Sequence, residues 1–267
     1  KELSQQNIIK INKKLGKYYQ ILTPNHYNRE EIIKNAKDIS ICIGTHLESY
    51  VIDYAPNLLI FQNIGSGIEE FDLNKIMKKK ILLTNSHENS IYVAEYAVTV
   101  ALSMSKNINY YYSMLKEKNY LKYSNNNMHK IPTSLVTNKT IGIIGYGCIG
   151  KKIKNMLSGF NNKFYVMSNN SKISNSINLY RKSLSQILSK SDIVFINVPL
   201  TKKTINMINL DNYKKISNNC ILTNTSRAEV ISYDVFELIL KDKKIIFYDT
   251  FYKHKISDDN LKSKLLK

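Results

Sequence analysis

The sequence predicts an α/β protein in two parts: a doubly wound parallel sheet over residues 89–255, and before it a smaller α/β unit over residues 1–88. Three observations predict this. Short apolar runs alternate with stretches of helical periodicity along most of the chain. The run Gly145-Tyr146-Gly147-Cys148-Ile149-Gly150 places three of the nine glycines between one such strand and one such helix. The charge also changes at residue 88: residues 1–88 hold 12 Lys+Arg and 10 Asp+Glu, a net of +2, whereas 89–267 hold 27 and 11, a net of +16.

In the first part, Ile8, Ile9 and Ile11 lead a Lys-rich amphipathic helix. Ile41-Cys42-Ile43 forms a short strand ending at Gly44, and Leu58-Leu59-Ile60-Phe61 a second, ending before the turn Gly65-Ser66-Gly67. Ile81-Leu82-Leu83 supplies a third, so the unit reads as a small parallel sheet with flavodoxin-like character. From Asn89-Ser90 the pattern becomes a helix over 93–108, apolar on most faces and therefore expected to be buried between domains or subunits. Residues 109–134, rich in Tyr, Lys and Asn, read as an exposed helix end and loop.

A clearer rhythm follows. A strand at 141–144 gives way at Gly145 to a helix carrying Ile153, Met156 and Leu157 on one face, and a strand at 164–167 follows it. Next come a helix at 183–189, strands at 193–197 and 220–222, a helix at 234–240 and a strand at 245–248. Strands alternating with helices in this way make a doubly wound parallel sheet of the Rossmann type.

Composition excludes several classes. With 43% hydrophobic residues in 267, the chain can bury a real core despite its formal charge of +18, so wholesale disorder is excluded. Cys42, Cys148 and Cys220 show no metal or disulfide spacing, which fits a reducing cytoplasm. No apolar run approaches the ~18–20 residues of a membrane span, and the opening KELSQQNIIK is not a signal peptide. A charge of +18 attracts polyanions over ~8–10 Å. Its lysines, among them Lys151, Lys152, Lys154, Lys202 and Lys203, are scattered and belong to no nucleic-acid module, so neither nucleic acid nor membrane is expected as a partner.

The glycine run is G-x-G-x-x-G with the correct flanks. Gly145 makes the tight turn, Gly147 admits a pyrophosphate close to the backbone, Gly150 lets helix pack on strand, and the helix amides at Cys148 and Ile149 meet the phosphates. With Asn197-Val198-Pro199-Leu200-Thr201 and Thr204, Asn224-Thr225-Ser226-Arg227-Ala228-Glu229-Val230, and Asp249 closing a strand, it resembles the D-2-hydroxyacid dehydrogenase family in order and spacing. Asn63-Ile64-Gly65-Ser66-Gly67 with Asp72, and Asn89-Ser90 with Val93-Ala94-Glu95, resemble its substrate loop and interdomain helix.

The resemblance implies an NAD(P)-dependent oxidoreductase that moves a hydride between nicotinamide and a small 2-keto or D-2-hydroxy acid, glyoxylate- or hydroxypyruvate-like. It implies that Arg227 is catalytic, gripping the carboxylate and polarising the carbonyl, which a planar guanidinium suits. It assigns substrate anchoring to Ser66 and Gly67, with His87 in a substrate-facing loop. Coenzyme contacts fall to Gly145, Gly147, Cys148, Ile149, Gly150, Ser168, Asn169, Val198, Pro199, Thr204, Thr225, Ser226, Arg227 and Asp249, and no metal is implied. The helix over 93–104 matches the family's dimer-forming region, implying a homodimer.

Two departures bear on the proton donor. Where the family has a glutamate five residues after the aspartate, this chain has His254, and the family's catalytic histidine would fall beyond Lys267. Three explanations stay open: further residues beyond the C-terminus that also complete the substrate unit, a proton-donor role for His254, or a coenzyme-sensing protein without turnover, like the family's dehydrogenase-like corepressors. The start at Lys1 likewise leads us to expect preceding residues.

The coenzyme's ribose position carries no carboxylate. Ser168 stands where NAD-preferring members have an acid, followed by Asn169, Asn170, Ser171 and Lys172. Two unit charges ~4 Å apart at a dielectric of ~20 interact by ~4 kcal/mol, against the ~1.4 kcal/mol of a tenfold preference. NADP is therefore expected over NAD, although the turn itself has no arginine.

Overall fold

Among the described residues, the apolar runs of the first 88 become three short parallel strands, and those of the remainder become five of the six strands of a second sheet. The computed structural model describes residues 4–24, 28–116, 133–169, 177–241 and 245–250, and the chain divides into two units, Lys1–Glu88 and Asn89–Lys267.

In the first unit β1 (Ile41–Gly44), β2 (Ile60–Asn63) and β3 (Leu82–Asn85) lie side by side in that order, all parallel. The register sets Gly44 beside Asn63 and Asn63 beside Asn85, so the loops leave one edge of the sheet together. The strands begin later than the apolar runs. Leu58 and Ile81 are buried core residues in the approach to each strand, and the Leu58 amide donates to Ala55 O rather than to a neighbouring strand. Phe61 is fully buried and packs on Phe71, ring centroids 5.3 Å apart, with Ala36, Ile52 and Ile76 completing the core. The helix Gln5–Leu15 is capped by Ser4, whose Oγ accepts from the Asn7 amide, and buries none of its residues.

In the second unit the order is β6-β5-β4-β7-β8-β9, all parallel. The chain enters at the centre with β4 (Thr140–Ile144), winds outward through β5 (Lys163–Met167) and β6 (Leu179–Arg181), then returns to β7 (Ile193–Ile196), β8 (Cys220–Asn224) and β9 (Ile245–Asp249). Such an order reverses direction between β4 and β7, where open α/β sheets bind ligands. The strands β7 and β8 are buried throughout, as expected for a sheet covered on both faces. The sequence reading missed β6, a three-residue strand whose one buried residue, Leu179, makes no detectable pattern.

The apolar helix runs over Ser90–Ser105, earlier than expected, and the chain breaks at Asn107, φ 52°, before a second helix, Ile108–Lys116. Its buried stripe consists of small residues, Ser90, Ala94, Ala97, Ala101 and Ser105 with Val98, which lets it pack against the helix Cys148–Leu157 of the same unit. The helix Leu184–Lys190 starts where expected because Ser183 and Gln186 form a reciprocal capping box.

Each unit has its own core, so each is sensitive to a cavity of its own. Phe61→Ala in the first and Phe195→Ala in the second are each expected to cost about 3–5 kcal/mol, read as a fall in the denaturant midpoint.

Candidate functional site

The turn after β4 is held on two sides. The amides of Gly145 and Tyr146 both donate to Met167 O at the end of β5, at 3.1 and 3.0 Å. Gly145 has φ +97°, and a Cβ there would lie 2.5 Å from Asn197 O of the segment after β7, so a side chain is excluded by conformation and by space. A Cβ on Gly150 would meet Gly145 O at 2.6 Å and Ile143 Cγ2 at 2.9 Å, which brings the helix Cys148–Leu157 down onto the strand. Gly147 differs: a Cβ there meets nothing within 4 Å. It caps the helix without a side-chain hydrogen bond, and the amides of a helix's first turn have no partner within the helix. Those donors lie at the positive end of the helix dipole, next to the open space around Gly147.

Two further groups suit a polyphosphate coenzyme. Asn197 Nδ2 is buried with no hydrogen-bond partner among the described residues, although its Oδ1 accepts from Thr225 Oγ1 at 2.9 Å. Burial raises the pKa of the Tyr146 phenol, which therefore remains a neutral group in the turn. The residues present fit a dinucleotide.

At the end of β5, Ser168 is half-buried and Asn169 exposed, with no carboxylate at either position. Here the fold adds a residue the sequence reading missed. Arg181, the last residue of β6, donates from Nη2 to Ser168 O at 3.1 Å. Thirteen positions separate the two in sequence, and only the pairing of β5 with β6, Val166 beside Arg181, brings them together. Asn170, Ser171 and Lys172 lie outside the described residues.

On the far half of the sheet Asn224 organises the site. Fully buried at the end of β8, its Oδ1 accepts from the amide and hydroxyl of Ser226, at 3.1 and 2.7 Å. Its Nδ2 donates to Arg227 O at 2.9 Å and to Asp249 Oδ2 at 2.7 Å. One side chain thus sets the course of the backbone from Ser226 to Arg227 and the position of the Asp249 carboxylate. Arg227 is half-buried and donates from Nη1 to Ser226 O at 2.9 Å. The Thr204 hydroxyl donates to Pro199 O at 2.6 Å and accepts from the Thr201 amide at 2.8 Å, shaping the loop that presents Pro199 beside buried Val198. Tyr248 shares a hydroxyl-to-hydroxyl hydrogen bond with Tyr96. Its pKa is pushed up to about 12, by burial first and then by that bond and the nearby Tyr96 and Asp249 charges.

In the first unit the residues around Ser66 and Gly67 have an equally definite geometry. Gly65 O accepts from the Ser86 amide at 3.1 Å, Ser66 O from Asn85 Nδ2 at 2.9 Å, and Gly67 O from Asn63 Nδ2 at 2.7 Å. A trans peptide points its N–H away from its C=O. Pinning these three carbonyls therefore turns the amides of Ser66, Gly67 and Ile68 away from Ser86, Asn85 and Asn63 respectively. Buried Asn63 also accepts from the Gly65 amide at 2.9 Å through Oδ1. His87 is exposed, one residue beyond Ser86 in the loop tied to Gly65. Asn63 stood in the sequence only as a motif letter, and its role as a carbonyl clamp, like that of Asn85, follows from the parallel pairing of β2 with β3.

The remaining candidates divide simply. His254, His26 and His129 lie outside the described residues. Burial pushes the Cys42 thiol up to about 11 and, with the Asp192 charge adding to it, Cys220 up to about 12, while Cys148 is exposed in the glycine turn. Among the described residues no cluster of three metal-ligating side chains occurs, and no helix is long and apolar enough to cross a membrane.

The second unit is therefore a dinucleotide-binding α/β domain of the Rossmann type. Residues 98–266 match the family described as D-isomer specific 2-hydroxyacid dehydrogenase, NAD binding domain, and the chain belongs to that family. A glyoxylate reductase from Thermofilum pendens is 30% identical over 224 residues, 80% of this chain and 65% of the relative. A hydroxypyruvate reductase from Thermotoga maritima is 25% identical over 227 residues, 83% of this chain and 72% of the relative. The chain spans about two thirds of the length of the glyoxylate reductases it matches. Among solved structures, D-lactate dehydrogenase from Aquifex aeolicus, complexed with NAD and lactic acid, superposes with a TM-score of 0.77 at 21% identity, covering 99% of this chain and 82% of that one. An acyclic imino acid reductase in complex with NADPH and D-Arg gives a TM-score of 0.77 at 22% identity, covering 95% and 81%. These likenesses bear out the α/β architecture and the family resemblance read from the sequence.

The glycines separate binding from folding. Gly147→Ala is expected to leave stability within about 0.5 kcal/mol of wild type while weakening coenzyme binding at least ~10-fold, because its methyl enters the open space in front of the helix. Gly150→Ala is expected to lower stability by about 1–3 kcal/mol through the clash with Gly145 O. Thermal melts and coenzyme titration of both variants check the contrast.

Proposed function

We propose that this chain carries the coenzyme domain and substrate loop of an NADP-dependent oxidoreductase that reduces a small 2-keto acid, glyoxylate- or hydroxypyruvate-like, to the D-2-hydroxy acid. The observation that carries this reading is the Asn224 network, which orders Arg227 and Asp249 at the carboxyl end of the sheet that also bears the glycine turn. Residues 1–88 act as the substrate part and 89–255 as the coenzyme part. The relatives named glyoxylate and hydroxypyruvate reductase support the substrate class.

Bound coenzyme would supply the hydride, and the reduction also takes up one proton. The residues of this chain would bind and orient the two partners. The amides of Cys148 and Ile149, with Gly147 leaving room, bind its phosphates, and Asp249 orients its carboxamide end. The Arg227 guanidinium grips the keto acid and stabilises the negative charge that develops on its carbonyl oxygen. The amide of Ser66, aimed by the Ser86 amide on Gly65 O, and the amide of Gly67, aimed by Asn85 on Ser66 O, bind the substrate carboxylate, with His87 in the loop that carries Ser86.

The coenzyme preference for NADP rests on Ser168 and Asn169 at the end of β5, which offer hydrogen-bond donors to a 2′-phosphate and no repelling charge. The net +16 of residues 89–267 supports the attraction of anionic coenzyme and substrate. A homodimer is part of this reading, supported by the exposed Ile91, Tyr92 and Ile108 on the helices Ser90–Ser105 and Ile108–Lys116, the region resembling the family's dimer helix. A cytoplasmic location agrees with three free thiols.

The reading is tested by following NADPH oxidation against a panel of small 2-keto acids. Turnover is expected, and Arg227→Ala is expected to lower kcat/KM by ~100-fold or more. Tight coenzyme binding with no turnover on any of them would defeat the enzyme reading in favour of a coenzyme sensor. Asn85→Ala releases one carbonyl clamp and is expected to raise the keto-acid KM about 3–10-fold, with coenzyme affinity unchanged.

A further inference from the structure

We propose that the substrate of this chain carries one carboxylate and no second anionic group, so that the substituent on the keto carbon is uncharged and phosphorylated or dicarboxylic keto acids are refused. The inference deepens the 2-keto-acid reading above and rests on it. Three loops leave the carboxyl edge of the first sheet: residues 45–48 after β1, 64–71 after β2 and 86–88 after β3. Backbone bonds lace them together, the Ile64 amide donating to Gly44 O at 3.0 Å and the Ser86 amide to Gly65 O at 3.1 Å.

In a chain with 39 Lys+Arg against 21 Asp+Glu, these loops hold no lysine or arginine, and they carry the exposed carboxylates Glu48, Glu69, Glu70 and Glu88. The local balance is thus opposite to that of the whole chain. The other titratable groups of the loops are His46, whose Nε2 lies 3.1 Å from Glu48 Oε1, and His87. Two cations reach the segment just after Glu48, and both are engaged there. Lys75 Nζ donates to Asp53 Oδ2 at 2.6 Å and to Ser49 O at 2.8 Å, and the Arg29 guanidinium lies over the Tyr50 ring, 4.5 Å from its centroid. The seat formed by the Ser66 and Gly67 amides is itself uncharged, and Arg227 is assigned above to the same carboxylate and the keto oxygen. A second negative charge on the substrate would therefore meet glutamates on these loops and no cation of theirs. On either side of the two amides Ile64 and Ile68 are exposed, at 40% and 37%, so an uncharged substituent finds methyl groups there.

The test uses pairs of keto acids that differ by one anionic group: hydroxypyruvate against 3-phosphohydroxypyruvate, and pyruvate against oxaloacetate. With saturating NADPH, kcat/KM is expected to be at least ~50-fold higher for the singly charged acid of each pair. Calorimetry in the presence of NADP+ is expected to give the same order of affinities without turnover. Replacing Glu69 and Glu70 together by lysine is expected to narrow both gaps at least ~10-fold by favouring the doubly charged acid, and replacing both by glutamine to narrow them less. A wild type that binds and reduces the doubly charged acids as well as their counterparts would overturn the proposal, and so would gaps left unchanged in both the lysine and the glutamine variants; either result leaves the keto-acid reading intact. Neither binding nor turnover with any of the four acids would overturn that reading, and the proposal with it.

Discussion

The approach of backbone to backbone at the carboxyl end of β4 is the constraint on which the coenzyme half depends. Gly145 sits against the carbonyl of Asn197, and Gly150 sits against the carbonyl of Gly145, each with no space for a Cβ. These two contacts fix where the chain leaves the strand and where the helix Cys148–Leu157 begins. They also require β7 to be the neighbour of β4, since Asn197 follows β7 directly. The crossing back of the sheet and the open turn at Gly147 are thus one feature, because the same close contacts that set the topology leave space around Gly147.

Both units use a buried asparagine to turn an irregular loop into a defined surface. Asn63 in one and Asn224 in the other each accept from a following backbone amide and donate to a backbone carbonyl three or four residues on. A carboxamide is suited to this, carrying donors and an acceptor on one rigid plane without a charge to desolvate. The effect differs with what the loop carries. Around Asn63 the outcome is a loop whose carbonyls are pinned; around Asn224 it is a fixed backbone course from Ser226 to Arg227 and a held Asp249 carboxylate.

The excess positive charge has a division of labour consistent with this. Scattered lysines create a field that draws anions over roughly a Debye length, and such a field does not distinguish one phosphate ester from another. Discrimination needs donors at hydrogen-bond distance in fixed directions. Arg227 and Arg181 each donate to a backbone carbonyl, Ser226 O and Ser168 O, at 2.9 and 3.1 Å.

The sequence by itself determined the α/β class, the glycine turn and the order of the family's motifs, because each is written in contiguous residues. Alternation of apolar runs reports burial along one element, and G-x-G-x-x-G encodes a local backbone path. It also located Ser66, Gly67 and Arg227 as candidates. It did not show β6, whose three residues are too few for a period, nor the end of the first long helix at Asn107, which a left-handed residue decides. Only the tertiary structure decided which residues act on those candidates. Asn85 reaches Ser66 across 19 positions, Asp249 reaches Asn224 across 25, and Arg181 reaches Ser168 across 13, each through strand pairing. Parallel strands bring their carboxyl ends into line only after the intervening helix or loop has closed, so contacts made at those ends have no signature in neighbouring residues.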